Sequence, residues 1–295
     1  MKKYIGSIVF IVALIAAWGV SDYCLTQSAP LGNSPYFLKN DYDLTRMENP
    51  QKVWDKAFFG SSVVVTAYMP EISQSGYVNL GISYGKVTDI YEMLKKDIVS
   101  IKSDLVIGLN DISFLDSLPT NETYPWHKKW YQHYLYFNRD TIFPIVDGGF
   151  DNLLDGKPFL GEPLHANQTK NFTYGAMSEE ELLENYESML ERFADCTVEK
   201  DCKEGFEALE KLIELCKERN IRLRAIWMPC NPKIPLYDFV YEVMDYGNEI
   251  FKENDIEVFD MTSMIEAKYF YDSGHISHGE GSEYFTKVAD EFLRK

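Results

Sequence analysis

Three short stretches, far apart in this chain, carry the groups needed for acyl transfer at a serine: Gly60-Ser61-Ser62, Gly108-Leu109-Asn110-Asp111 and Asp272-Ser273-Gly274-His275. The Ser62 hydroxyl becomes a nucleophile when a neighbouring base takes its proton. His275 supplies an imidazole that can take the proton and later return it to a leaving group. Asp272, three residues earlier, can hold that ring in the tautomer the task requires. Asn110 places an amide where a developing oxyanion needs a donor, a contact worth about 3 to 4 kcal/mol in such chemistry. Each motif alone has an ordinary structural explanation. Serine often caps a helix, and Asn-Asp after a strand is common turn composition. Their order and placement carry the functional reading. His278 lies outside the Asp-x-x-His spacing and ranks below His275, while His127, His133 and His165 read as surface residues.

Positioning these groups requires a sheet whose strands end where the motifs begin. Apolar runs alternate with helical patterns, which predicts an α/β domain with a parallel sheet. Five strands are expected, at Val53 to Phe59, Tyr77 to Leu80, Leu105 to Leu109, Leu223 to Met228 and Glu257 to Asp260. Apolar residues at spacings of three and four predict helices over Val87 to Ser100, Glu179 to Phe193, Lys203 to Arg219 and Leu236 to Asn254, with a last one from about Gly281. Gly60 permits the sharp turn that would lift Ser62 above the first strand, at a helix start whose free N–H groups favour negative charge.

From Leu115 to Met177 this rhythm breaks. The stretch is rich in Tyr, Trp, Phe, Pro and Gly without a clean period, and insertions of that length tend to be lids or binding loops. Trp126, Trp130, Tyr131, Tyr134, Tyr136 and Phe137 could stack on sugar rings or pack the insertion down.

The 295-residue chain is 45% apolar and carries a formal net charge of -17. Such acidity argues against nucleic acid or anionic lipid as a main partner, since both are held by clustered Lys and Arg. Lys2 and Lys3 precede an apolar run from Tyr4 to Val20, about 25 Å as a helix, which reads as a signal-anchor. The positive-inside rule then puts residues beyond about Ser21 outside the cytoplasm. Segment 1–22 is thus the expected transmembrane segment, 23–50 an extended tether and 51–295 the catalytic domain. Cys196 and Cys202 could close a short disulfide loop or remain free thiols. No Cys-x-x-Cys or Cys/His cluster is present, so neither a structural zinc nor any cofactor is expected.

With these residues in view, the chain resembles the SGNH/GDSL hydrolase family, whose sequence blocks occur here in order. Gly60-Ser61-Ser62 matches the Gly-Asp-Ser block, with Ser61 in place of the usual Asp, which makes Ser62 the nucleophile. Asn79-Leu80-Gly81-Ile82-Ser83-Tyr84-Gly85 is similar to the second block, whose glycine lends a backbone N–H to the oxyanion hole. The extra Tyr84 leaves that role between Gly85, to which it is assigned, and Gly81. Gly108-Leu109-Asn110-Asp111 matches the block that supplies a side-chain donor, here Asn110, and Asp272-Ser273-Gly274-His275 the block with the orienting acid and the base.

The resemblance implies a three-layer α/β/α sandwich of flavodoxin-like topology, with an oxyanion hole formed by the Ser62 and Gly85 N–H groups and Asn110. A Gly-Ser-Ser turn behind a single anchor looks like the membrane-attached members that handle cell-envelope acyl groups, as in D-alanylation of teichoic acids or O-acetylation of exported polysaccharides. The implied partners are an acylated carbohydrate or other ester, the membrane through the N-terminal helix, and a multi-span membrane acyltransferase. The implied activity is that of an extracytoplasmic serine esterase or acyltransferase. The rival is a catalytically silent protein of the same fold that binds an envelope glycan or such an acyltransferase.

Overall fold

The computed structural model describes residues 2–27, 40–51, 53–118, 120–121, 124–127, 129, 139–160 and 170–295. The chain forms two compact units, Met1–Asp43 with Thr123–Thr169, and Leu44–Glu122 with Lys170–Lys295. Trp130, Tyr131, His133, Tyr134, Tyr136, Phe137 and His165 lie outside the described residues.

In the first unit, α1 (Lys2–Gln27) contains a 21-residue apolar span, Tyr4–Cys24. At 1.5 Å per residue this measures about 31 Å, the thickness of a bilayer's hydrocarbon core. The helix continues past Val20, where the apolar run itself stops, because a helix needs no apolar side chains to propagate. Trp126 is buried, stacked on Tyr124 and edge-on to Tyr42. Its ring faces are thus used for packing.

Two expectations are corrected here. The tether is not extended throughout: Asp41–Glu48 forms α2, started by Asn40, whose Oδ1 accepts the Asp43 N–H at 2.9 Å. Acidic residues in its first turn and Arg46 in its last suit the helix dipole, and Tyr42, Leu44 and Thr45 are buried. The insertion likewise contains α5 (Arg139–Leu154), a helix that Pro144 and Gly148-Gly149 conceal in the sequence.

The second unit is built on a parallel sheet of five strands: β1 (Val53–Gly60), β2 (Tyr77–Gly81), β3 (Ser100–Leu109), β4 (Arg222–Trp227) and β5 (Glu257–Asp260). Their order is β2-β1-β3-β4-β5. Parallel strands covered on both faces read as unbroken apolar runs, as in Ala57-Phe58-Phe59 and Leu105 to Leu109, all buried. β3 starts five residues earlier than that signal suggests. Ser100 to Asp104 pair with the start of β1 at the rim, where only Ile101 and Asp104 are buried and the run is mostly polar.

The chain winds from β1 outward to β2 and then returns past β1 to β3, β4 and β5. Right-handed crossovers place the first helix on one face and the later ones on the other. Accordingly α3 (Ser62–Ala67) shares one face with α10 (Glu280–Leu293), over Phe58, Val106 and Ile226. On the opposite face α4 (Val87–Lys95) packs against α8 (Lys203–Glu218), and α9 (Asp238–Glu253) covers Trp227. The fold is a three-layer doubly wound α/β sandwich. The remaining helices are α6 (Glu179–Phe193), begun by a reciprocal Ser178–Glu181 capping box, and the short α7 (Val198–Asp201). Cys196 and Cys202 are free thiols at the two ends of the α7 turn.

Arg224 is a charge buried almost completely, at 1% exposure. From β4 its guanidinium forks onto Asp104 of β3, with Nη2 3.0 Å from Oδ2 and Nε 3.4 Å from Oδ1. It also donates to the Tyr77 hydroxyl and to the last carbonyls of α10, Phe292 at 2.8 Å and Leu293 at 3.2 Å. One side chain therefore ties β2, β3, β4 and the C-terminal helix together. Removing one partner of such a pair strands the other, at a cost of about 3–5 kcal/mol. Arg224→Ala should lose stability of that order in urea unfolding, and a loss below about 1 kcal/mol would show that the pair is not holding the helix to the sheet.

Candidate active site

The doubly wound order opens a crevice where consecutive connections leave in opposite directions, here between β1 and β3 at their C-terminal ends. Gly60 and Gly108 are register partners at that rim. A β-carbon on Gly60 would sit 2.3 Å from the Val64 side chain and 2.8 Å from the Gly108 carbonyl oxygen, and one on Gly108 would sit 2.4 Å from Val64. Only glycines let the first turn of α3 come down onto the strand ends. Ser61 turns inward and is buried, and Ser62 becomes the first helical residue with its N–H unused by the helix.

His275 arrives on a tight hairpin. Phe270 and Ile276 form an antiparallel bridge, and the Tyr271 N–H donates to the His275 carbonyl at 2.8 Å. Within this turn Asp272 Oδ1 accepts the N–H groups of Gly274 (2.9 Å) and His275 (2.7 Å), while Oδ2 lies 2.7 Å from His275 Nδ1. An ionised carboxylate can only accept, so Nδ1 carries a proton, and in the neutral ring Nε2 is left with its lone pair. That lone pair faces Ser62, with Oγ to Nε2 at 2.8 Å across 213 residues of sequence. Burial alone would push the Asp272 carboxyl up. The hydrogen bond and charge of His275, with the two backbone donors, outweigh burial and hold it below the usual carboxylate range.

Asn231 has no precursor in the sequence reading. Buried on the loop after β4, it donates from Nδ2 to the Asp272 carbonyl (3.0 Å) and from its N–H to the Ser273 carbonyl (2.9 Å), clamping the histidine turn. The signal available was a lone amide between prolines, Pro229-Cys230-Asn231-Pro232, just past a strand.

Asn110 faces the same cavity as Ser62 and His275. The Ser113 hydroxyl accepts the Asn110 backbone N–H (2.9 Å) and so must donate its proton to Asn110 Oδ1 (2.8 Å). This fixes the amide with its NH2 outward.

The second-block glycines behave differently from the expectation. Gly85 donates its N–H to the Ile82 carbonyl at 3.0 Å, and Gly81 to Asn79 Oδ1 at 2.9 Å, so both are committed inside their own turns. Gly85 is instead a point of close approach, since a β-carbon there would lie 2.6 Å from the Gly60 carbonyl oxygen. Tyr84 takes the left-handed position of the turn (φ 57) and lines the cavity, with no hydrogen-bond partner for its N–H among the described residues. His278 stacks on Phe172 at 4.2 Å, away from the cavity, and His127 is exposed.

The cavity has a volume of about 600 Å³ and extends from Ser62 across the ends of β3 and β4 to α9, beneath one face of α6. Along its wall Tyr237 donates to the Asp111 carboxylate, whose other oxygen accepts the Ile112 N–H at 2.9 Å. Burial pushes the Asp111 carboxyl up, and burial together with the Asp111 charge pushes the Tyr237 hydroxyl up. Burial also lifts the Cys230 thiol to about 12, which leaves it protonated and unreactive.

A hydroxyl, an imidazole and a carboxylate in series, with uncommitted N–H donors at Ser62, Tyr84 and Asn110, can perform nucleophilic acyl chemistry. No protein-family model and no curated protein matches the chain. Among solved structures, a crystal structure of a protein provisionally described as an acylhydrolase, from Bacteroides fragilis NCTC 9343, covers 87% of this chain and 98% of its own, at 16% identity and a TM-score of 0.40. Similarity that low says nothing about activity.

Because the folded Asp272 carboxyl is depressed, its contribution to stability is complete above the ordinary value of about 3.9 and is lost as pH falls through the lower folded value. The stability difference between the wild-type and Asp272→Asn proteins should therefore shrink between pH 5 and pH 2 in chemical unfolding. A difference that widens on acidification would contradict the assignment.

Proposed function

We propose that this chain is a membrane-anchored serine esterase or acyltransferase of the SGNH/GDSL type, acting outside the cytoplasm on acyl esters of a cell-envelope glycan. The observation that carries the proposal is the Ser62 Oγ to His275 Nε2 contact of 2.8 Å, backed by the 2.7 Å contact from His275 Nδ1 to Asp272. The ordered motif blocks and the apolar helix behind two lysines support the rest.

In this reading His275 takes the proton as Ser62 Oγ attacks the acyl carbonyl. The oxyanion is held by the N–H of Ser62, the NH2 of Asn110 and, in place of the Gly85 N–H first expected, the N–H of Tyr84. His275 then protonates the departing alcohol, and the acyl-enzyme passes to water or to a glycan hydroxyl. Asp272 keeps the ring in the tautomer that allows both transfers.

A fluorophosphonate should label the wild-type protein at Ser62 and leave Ser62→Ala unlabelled. Ester turnover should fall roughly 10³-fold or more in Ser62→Ala and His275→Ala, and about 10²- to 10³-fold in Asn110→Ala. Labelling that persists in Ser62→Ala, or no labelling at all, would favour a binding protein on the same fold. A glycan acceptor that speeds loss of the acyl group would identify a transferase, and one without effect a hydrolase.

A further inference from the structure

Resting on that reading of Ser62, we propose that the acyl group handled here is a medium- or long-chain aliphatic one, seated in the cavity that runs from Ser62 to α9. An acetyl group has two carbons, whereas a cavity of about 600 Å³ is of the size that holds drug-sized molecules. Its apolar lining includes Met177, Met189, Met228, Val240, Val243 and Met244. Methionine side chains adjust to guests of differing length, which suits a flexible chain better than a rigid ring.

The polar groups in the cavity disfavour the other occupants. A sugar driven inside would need a partner for each hydroxyl; the polar side chains that α6 gives the cavity, Asn185, Ser188 and Arg192, are solvent-exposed, and the less exposed Asp111 carboxylate and Tyr237 hydroxyl already satisfy each other. A D-alanyl group would bring an ammonium and require a free carboxylate. The two carboxylates lining the cavity are Asp272, engaged by His275, and Asp111, engaged by Tyr237 and the Ile112 N–H. A chain of methylenes makes no such demands, and each one moved from water onto apolar walls is worth roughly a factor of three to four in binding. The glycan or other alcohol of the ester would then stay at the mouth. In the covalent step the Oγ–acyl bond forms as the acyl–alkoxy bond breaks, and the Ser62 proton travels through His275 to the released alcohol.

The test is the rate of Ser62 labelling by alkyl fluorophosphonates from ethyl to decyl, measured by intact mass and peptide mapping on the full chain in nanodiscs. The decyl probe should react at least tenfold faster than the ethyl probe. Filling the cavity with Val243→Trp should reduce that ratio at least tenfold. Met189→Trp, on the half-buried face of α6, should act in the same direction without a buried substitution. Dividing each variant's decyl-to-ethyl ratio by that of the wild type in the same nanodiscs cancels probe partitioning, which is common to all three proteins. Equal or slower labelling by the decyl probe overturns the long-chain assignment and leaves the Ser62 reading intact, as does a ratio that neither variant alters. No labelling by any probe would overturn the Ser62 reading itself.

Discussion

Everything at the candidate site depends on how closely three backbone segments approach at the C-terminal rim of β1 and β3. The carbonyl of Gly60 leaves no room for a β-carbon on Gly85, and Val64 leaves none on Gly60 or Gly108. Protein interiors give way little to an added methyl group, so these contacts set the height at which α3 leaves the sheet. That height decides whether Ser62 reaches the imidazole. The glycines therefore act by having no side chain, and in Gly85 this steric role replaces the donor role first expected of it.

The groups that hold the domain together and the groups suited to chemistry lie toward opposite ends of the same strands. Arg224 and Asp104 bind the sheet to the end of α10, using a buried charge pair that only dense hydrogen bonding makes tolerable. At the other rim the polar side chains are arranged so that some donors stay unspent. Ser113 occupies the oxygen of Asn110 and leaves its NH2 outward, and Asp272 uses one oxygen for its own turn and the other for His275. Asn231 then fixes that turn from the neighbouring strand end.

Much of this was legible in the sequence, for physical reasons that also mark its limits. Parallel strands buried on both faces leave apolar runs, so β1 and β4 could be read within a residue or two, while the edge strand β5 was marked only by Val258 and Phe259 between two acids. The rim half of β3 could not be read, because only Ile101 and Asp104 of Ser100 to Asp104 are buried and the stretch is mostly polar. Ser62, Asn110, Asp272 and His275 stood out because each ends a strand or opens a terminal turn in compatible order, and the fold brings all four to one cavity. Hidden were α2, whose burial rests on Tyr42, Leu44 and Thr45 within a polar stretch, and α5, which contains residues that ordinarily interrupt helices. The commitment of the Gly85 N–H and the Asn231 clamp depend on backbone paths that no local pattern encodes.

In the proposed activity Ser62, His275 and Asn110 form one reacting centre. Its most direct test is a crystal structure of the phosphonylated protein. A covalent bond from phosphorus to Ser62 Oγ is expected, with the phosphoryl oxygen within hydrogen-bond reach of the Ser62 N–H and Asn110 Nδ2. An adduct on another residue, or a phosphoryl oxygen turned away from Asn110, would contradict it.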